Sequence, residues 1–219
     1  MKPAAFLPLF LVVGFTIRAS AQSRSTLPKE DTQVWSELQV ALPLQEKIEL
    51  NLIGHLRLGR NVTHLVDERV GGNFAFKLGK YITLSPGYLY IATQPVAGKK
   101  GYENRPSLAA TIRFSLGGFT ITDRNLFERR LRKPVNSSRY RNRLQLEHPI
   151  GIARLRAFIA DEVFYDWSAG AWVRNRLSIG VIRKFSEHFS SEFYYMRQND
   201  GRTRPGDLHV LGTTLRIRP

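Results

Sequence analysis

Cysteine is absent from the 219 residues. That excludes disulfide scaffolds and thiolate metal centres, and it leaves the redox compartment open, because exported chains without cysteine are common. Long apolar runs are also missing after the first twenty residues. No later segment approaches the roughly 20 apolar residues of a membrane helix, so a membrane address would have to come from strands. Acidic charge is scarce, with 18 Asp and Glu against 33 Lys and Arg and a net charge of +15. Such an excess ordinarily points to nucleic acid or an anionic surface. Here the arginines alternate with apolar residues, short runs such as Arg129-Arg130-Leu131-Arg132-Lys133 apart. No nucleic-acid-binding motif accompanies them, and no nucleic-acid partner is expected.

The usual marks of chemistry are sparse. His55, His64, His148, His188 and His209 fall on separate segments, without a His-x-Glu or Glu-x-x-His grouping, so neither a metal nor a cofactor is expected. There is no Gly-x-Ser-x-Gly. A serine nucleophile needs a base within hydrogen-bond reach. Ser137 or Ser138 with His64 could meet, and so could Asp166 or Asp207 with His209, but nothing marks these pairs and no catalytic residue is assigned.

What is present begins with an export signal. Lys2 supplies a basic start, Ala4 to Ile17 an apolar run, and Ala19-Ser20-Ala21 a small-x-small cleavage site. The reading is a signal peptide over residues 1–21, cleaved near Ala21, a polar leader over 22–31, and one domain over 32–219.

The domain is organised around a candidate hairpin, Arg139 to Tyr165. Arg139, Arg141, Arg143 and Glu147 share one face of its first arm, and Tyr140, Leu144 and Leu146 share the other. In the second arm Arg154, Arg156 and Glu162 oppose Leu155, Ala157, Ile159 and Val163. That is the two-residue period of a strand. A four-residue loop from Pro149 to Ile152 would set Glu147 opposite Arg154 and Arg139 opposite Glu162, joining unlike charges. Alternating segments also run from about Thr32 to Leu42, Lys47 to Gly59, Val66 to Leu78, Tyr81 to Thr93, Pro106 to Leu116 and Phe119 to Leu131. After the hairpin come Trp172 to Phe185, carrying Arg174 and Arg176, then Phe189 to Gln198 and Leu208 to Ile217. A loop is expected from Gln94 to Asn104, and short and long connections alternate along the chain.

A charged face inside and an apolar face outside suit a transmembrane barrel. The fold expected is all-β, an antiparallel up-and-down transmembrane barrel of 10–12 strands with an Arg/Glu-lined lumen. Eleven segments conflict with the even count of bacterial single-chain barrels, so either residues 22–31 add a partial strand or one segment lies off the wall. Trp35, Tyr81, Tyr88, Tyr90, Tyr102, Tyr140, Trp167, Trp172, Tyr194 and Tyr195, near strand ends, would form the aromatic girdles. A soluble lipocalin-like barrel or sandwich needs the opposite facing, which alternation alone leaves open.

The run Arg139-x-Arg141-Asn142-Arg143-Leu144-x-Leu146-Glu147, the Asp161-Glu162 pair, Asn175-Arg176-Leu177-x-x-Gly180 and Tyr194-Tyr195-Met196 resemble domain-of-unknown-function family 2490. That resemblance implies a bacterial outer-membrane β-barrel without an assigned activity. Gly212, Leu215 and Ile217 are similar to the assembly signal of such barrels, although the chain ends Arg218-Pro219 instead of on an aromatic residue. The implied partners are outer-membrane lipid and the barrel-assembly machinery. The oligomeric state is not legible in the sequence.

Function is read from the inner face. Rings of arginine select anions, and the same side chains can staple a narrow barrel shut. The sequence therefore favours a non-catalytic barrel, structural or a narrow anion-favouring pore, over an enzyme at the rim acting on lipid or protein.

Overall fold

In the computed structural model, which describes residues 28–151 and 154–219, period-two alternation does become sheet. The strands are β1 (Glu30–Gln45), β2 (Ile48–Gly59), β3 (His64–Leu78), β4 (Ile82–Val96), β5 (Lys99–Leu116), β6 (Phe119–Arg132), β7 (Ser137–Pro149), β8 (Leu155–Asp166), β9 (Ala171–Lys184), β10 (Phe189–Asp200) and β11 (Asp207–Ile217). Each pairs with its sequence neighbour antiparallel, and the sheet closes on itself through β1 and β11. The fold is an all-β closed barrel of eleven strands among the described residues. The signal peptide expected over 1–21 and most of the leader lie outside them.

The odd count is resolved at the seam. β1 and β11 pair parallel, from Glu30 with Asp207 to Val40 with Ile217. Among the described residues there is no twelfth strand, and each of the eleven segments lies in the wall. Parallel pairing keeps the facing consistent, because Trp35 lies beside Gly212 and Glu37 beside Thr214, and all four point inward. One barrel end holds Glu30 and the connections 60–63, 97–98, 133–136, 167–170 and 201–206. The opposite end holds Ile217 and the connections 46–47, 79–81, 117–118, 150–154 and 185–188.

The connections are more even than the sequence suggests. The loop expected over 94–104 is mostly ladder, with β4 running to Val96 and β5 starting at Lys99. In the β7–β8 hairpin the register also differs. Glu147 pairs with Phe158, Arg143 with Glu162 and Arg139 with Asp166, four residues beyond the expected pairing. The connection is longer than four residues, closed by the Ile150 amide donating to the Leu155 carbonyl at 3.1 Å. Arg154 sits in it at φ 55°, exposed and ahead of the strand. An even shift preserves facing, so only Arg154 leaves the inner face.

The outer surface is apolar. Leu52, Leu56, Val70, Leu108, Leu211 and Phe193 are among its exposed side chains. A soluble barrel turns such residues inward, so the facing here is the reverse of the lipocalin-like alternative. On the outside, near the Glu30 end, Phe127, Tyr140, Tyr165, Trp167 and Trp172 pack edge to face with ring centroids 5.4–6.3 Å apart.

Candidate functional site

The inner face concentrates the charge. Glu128 on β6 is 2% exposed and accepts from three guanidinium groups, Arg139 at 2.7 Å, Arg141 at 3.0 Å and Arg105 at 3.4 Å. Glu162 on β8 takes Arg141 at 2.6 Å, Arg124 at 3.3 Å and Arg176 at 3.6 Å. Arg141 therefore joins the two carboxylates, and one network runs across β5 to β9. Glu103 extends it to Arg105 at 2.6 Å and Arg130 at 2.8 Å. Burying a carboxylate is costly unless its lone pairs are filled and its charge is matched. Multiple planar donors do both.

The residues expected in the lumen divide accordingly. Arg139, Arg141, Glu162 and Arg176 belong to this network, while Arg174 binds Asp200 at 2.5 Å. Arg156 donates to Glu147 at 3.1 Å and to Thr120 at 2.7 Å, and Arg113 reaches Glu147 at 3.4 Å. Arg143 faces inward directly opposite Arg124 and makes no ion pair among the described residues. Arg154 is outside the set because it lies on the turn. The sequence reading found Glu162 but did not single out Glu128 or Glu103. Glu128 stood out only as one of several polar residues on its face, since its three partners come from β5 and β7.

The opposite wall carries a second set of charges, Asp67 with Arg69 at 2.6 Å and Arg57 at 3.6 Å, beside one apolar cluster. Trp35, Met196, Leu208 and Val210 form a buried cluster against Tyr194. The Trp35 ring lies 3.5 Å from the Arg57 guanidinium carbon and 5.0 Å from that of Arg176, so it links β1 to both neighbouring and distant walls by cation–π contact. Trp35 and Tyr194 are thus corrections to the girdle assignment. Both share inward parity with charged neighbours, and sequence proximity to a strand end does not decide facing. Gly212 lies inward beneath the Tyr194 ring, and Leu215 and Ile217 point outward from the same strand.

Between these walls lies a cavity of about 790 Å³. Its walls carry thirteen arginines and Lys133 against eight carboxylates, which leaves the space cationic. It opens past Lys133, Ser168, Arg202 and Thr203 at the Glu30 end. The lining runs down to Arg143, Thr214 and Arg216 and stops before Glu147 and Arg156.

None of the candidate catalytic pairs is formed: Ser137 Oγ is buried without a partner, and the others are engaged elsewhere. His64 Nδ1 is 2.8 Å from Thr63 Oγ1, and Ser138 Oγ accepts from Arg129 at 2.9 Å. His209 contacts the Tyr195 hydroxyl at 2.7 Å and Arg197 at 2.6 Å, whereas Asp207 pairs with Lys29 at 3.5 Å. Among the described residues no three His, Asp or Glu side chains gather in a way that could hold a metal ion.

A family model described as "Protein of unknown function (DUF2490)" matches residues 32–209. No curated protein matches the chain in sequence. Among solved structures, the anion-selective porin from Comamonas acidovorans aligns with a TM-score of 0.41 and 12% identity, over 79% of this chain and 54% of that one. This chain thus spans about half the length of that porin.

Proposed function

Because the chain belongs to the family described as "Protein of unknown function (DUF2490)", its role has to be read from the barrel itself, and we propose a non-catalytic outer-membrane protein whose lumen is a narrow, anion-favouring passage. The membrane setting is supported by the apolar outer surface, the outward aromatic cluster on β6–β9 and strands of 11–18 residues, long enough to cross a bilayer when tilted. The export signal expected over 1–21 supplies the route, and Gly212, Leu215 and Ile217 supply the features that barrel-assembly machinery would read. With that strand end toward the periplasm, the Glu30 end faces outward.

The cationic excess of the cavity wall carries the anion reading. Of the thirteen arginines, six are neutralised by Glu103, Glu128 and Glu162 and three more by Asp67 and Asp200, and these brace the wall. Arg143 is left to act on a passing ion, and Arg132, Lys133 and Arg202 line the entrance. Fixed positive charge in a low-dielectric constriction draws anions and repels cations.

The test is conductance of the purified, folded barrel in a planar bilayer, with the reversal potential read under a salt gradient. An anion-selective current is expected, and Arg143→Glu should lower that selectivity. Silence from a folded barrel would overturn the passage. The second reading is then a closed structural barrel, favoured by a cavity lining that stops before Glu147 and Arg156.

A further inference from the structure

Two side chains of opposite charge face the same part of the lumen and do not meet. Arg143 points inward from β7, one inward position nearer the Ile217 end than Arg141, with Arg124 of β6 on one side and Glu162 of β8 on the other. Its neighbouring carboxylate is taken, because Glu162 already receives Arg141 at 2.6 Å, Arg124 at 3.3 Å and Arg176 at 3.6 Å. Glu192 points inward from β10 and has neither an ion pair nor a hydrogen bond among the described residues. The cationic groups that act on it are Arg143 and Arg216. Arg143 and Glu192 are thus near enough to interact and too far apart to bond. At the next inward position of β10, the Tyr194 hydroxyl also lacks a partner among the described residues. All three side chains line the cavity. Glu37, the other carboxylate at this depth, is committed to His55 at 3.0 Å.

Buried charges left apart are costly, and like charges set directly opposite each other, as Arg124 and Arg143 are, add to the cost. A ligand between Arg143 and Glu192 would relieve both, and the side chains dictate its chemistry. A guanidinium offers a fork of donors that matches the oxygens of a phosphate or a carboxylate. An ionised carboxylate can only accept. The ligand is then an oxyanion that keeps a proton on one oxygen. Its bare oxygens accept from Arg143 and the Tyr194 hydroxyl, and its own hydroxyl donates to Glu192. Monohydrogen phosphate carries that proton at neutral pH. Sulfate, equal in shape and charge, has none, and against Glu192 it would set two acceptors face to face.

We propose that Arg143, Glu192 and the Tyr194 hydroxyl form a binding site for monohydrogen phosphate inside the barrel. The site rests on the anion-favouring lumen described above and names the ion that lumen is built for, without requiring that the far end be open. Arg124, which gives one amine to Glu162, adds a second cation at its edge.

The test is isothermal titration of the purified, folded barrel in detergent with sodium phosphate and with sodium sulfate, at neutral pH and constant ionic strength. Phosphate is expected to bind about ten- to hundredfold more tightly than sulfate, the worth of one hydrogen bond to a charged group. Glu192→Gln replaces a pure acceptor by a side chain that can donate, so sulfate should gain and the preference should vanish. Arg143→Gln should lose both anions. Equal binding of the two anions by the unaltered protein, or binding of neither, would overturn the site. That comparison needs no variant and stands even where a substitution fails to fold. Phosphate binding by a barrel that passes no current in a planar bilayer would keep the site and remove the passage. An anion-selective current from a barrel that does not prefer phosphate would keep the passage and remove the site.

Discussion

At the residue scale, Tyr194 shows how tightly inward positions are specified. It stands between Gly180 of β9 and Gly212 of β11 in adjacent ladders. A Cβ on Gly212 would fall 2.0 Å from the end of the Tyr194 ring, whereas one on Gly180 would fall 2.3 Å from the Phe193 carbonyl. A ring can swing and a backbone cannot. Gly180→Ala should therefore destabilise more than Gly212→Ala, each within the roughly 1–3 kcal/mol of overpacking. In a Tyr194→Leu background Gly212→Ala should become nearly neutral while Gly180→Ala does not, as read by denaturant unfolding. Glu128 is the other sensitive residue. Glu128→Ala leaves Arg105, Arg139 and Arg141 competing for what remains, and breaking a buried pair costs roughly 3–5 kcal/mol. The same unfolding curves should show it as the largest loss among the luminal carboxylates. Glu147 serves two half-exposed arginines and should cost less.

At the scale of the element, facing was legible in the sequence and register was not. Period-two alternation placed Arg141, Glu162 and Arg176 inward, because a strand has only two sides. Pairing depends on the length of the turn, and a chain that spells Pro149-Ile150-Gly151 does not say where β8 begins. Arg154 and Arg156 separate the two hairpins. If the structural register holds, Arg154→Ala changes stability by no more than about 0.5 kcal/mol, as exposed turn positions do. Arg156→Ala loses its bonds to Glu147 and Thr120, roughly 1–2 kcal/mol. Equal effects would restore the shorter loop. Two outward polar residues were legible too, as gaps in the apolar series: Tyr140 and Leu144 skip Asn142, and Ile159 and Val163 skip Asp161. The Glu128 and Glu162 clusters were not, because each assembles partners from several strands.

At the scale of the whole molecule, the seam is the least ordinary feature. Lys29 lies beside Gly206 and Asp207 at one end, and Arg218 beside His188 and Glu49 at the other. On the proposed outer-membrane orientation, an epitope placed ahead of Glu30 in the mature chain should bind antibody from outside intact cells, and one following Pro219 should bind only after the outer membrane is permeabilised. Both exposed, or both hidden, would contradict parallel closure in a spanning barrel.

The same seam sets the terms for re-engineering the chain. In a barrel with an even number of strands the two ends are neighbours, and a circular permutant needs only a short tether between them. Here the tether would have to run the length of the β1–β11 ladder, eleven paired residues, or at least about 36 Å at 3.3 Å per residue. No extended linker of fewer than about eleven residues can span it, and its path would lie through the lumen or along the outer wall. A permuted gene with a long polar linker would therefore carry its own plug.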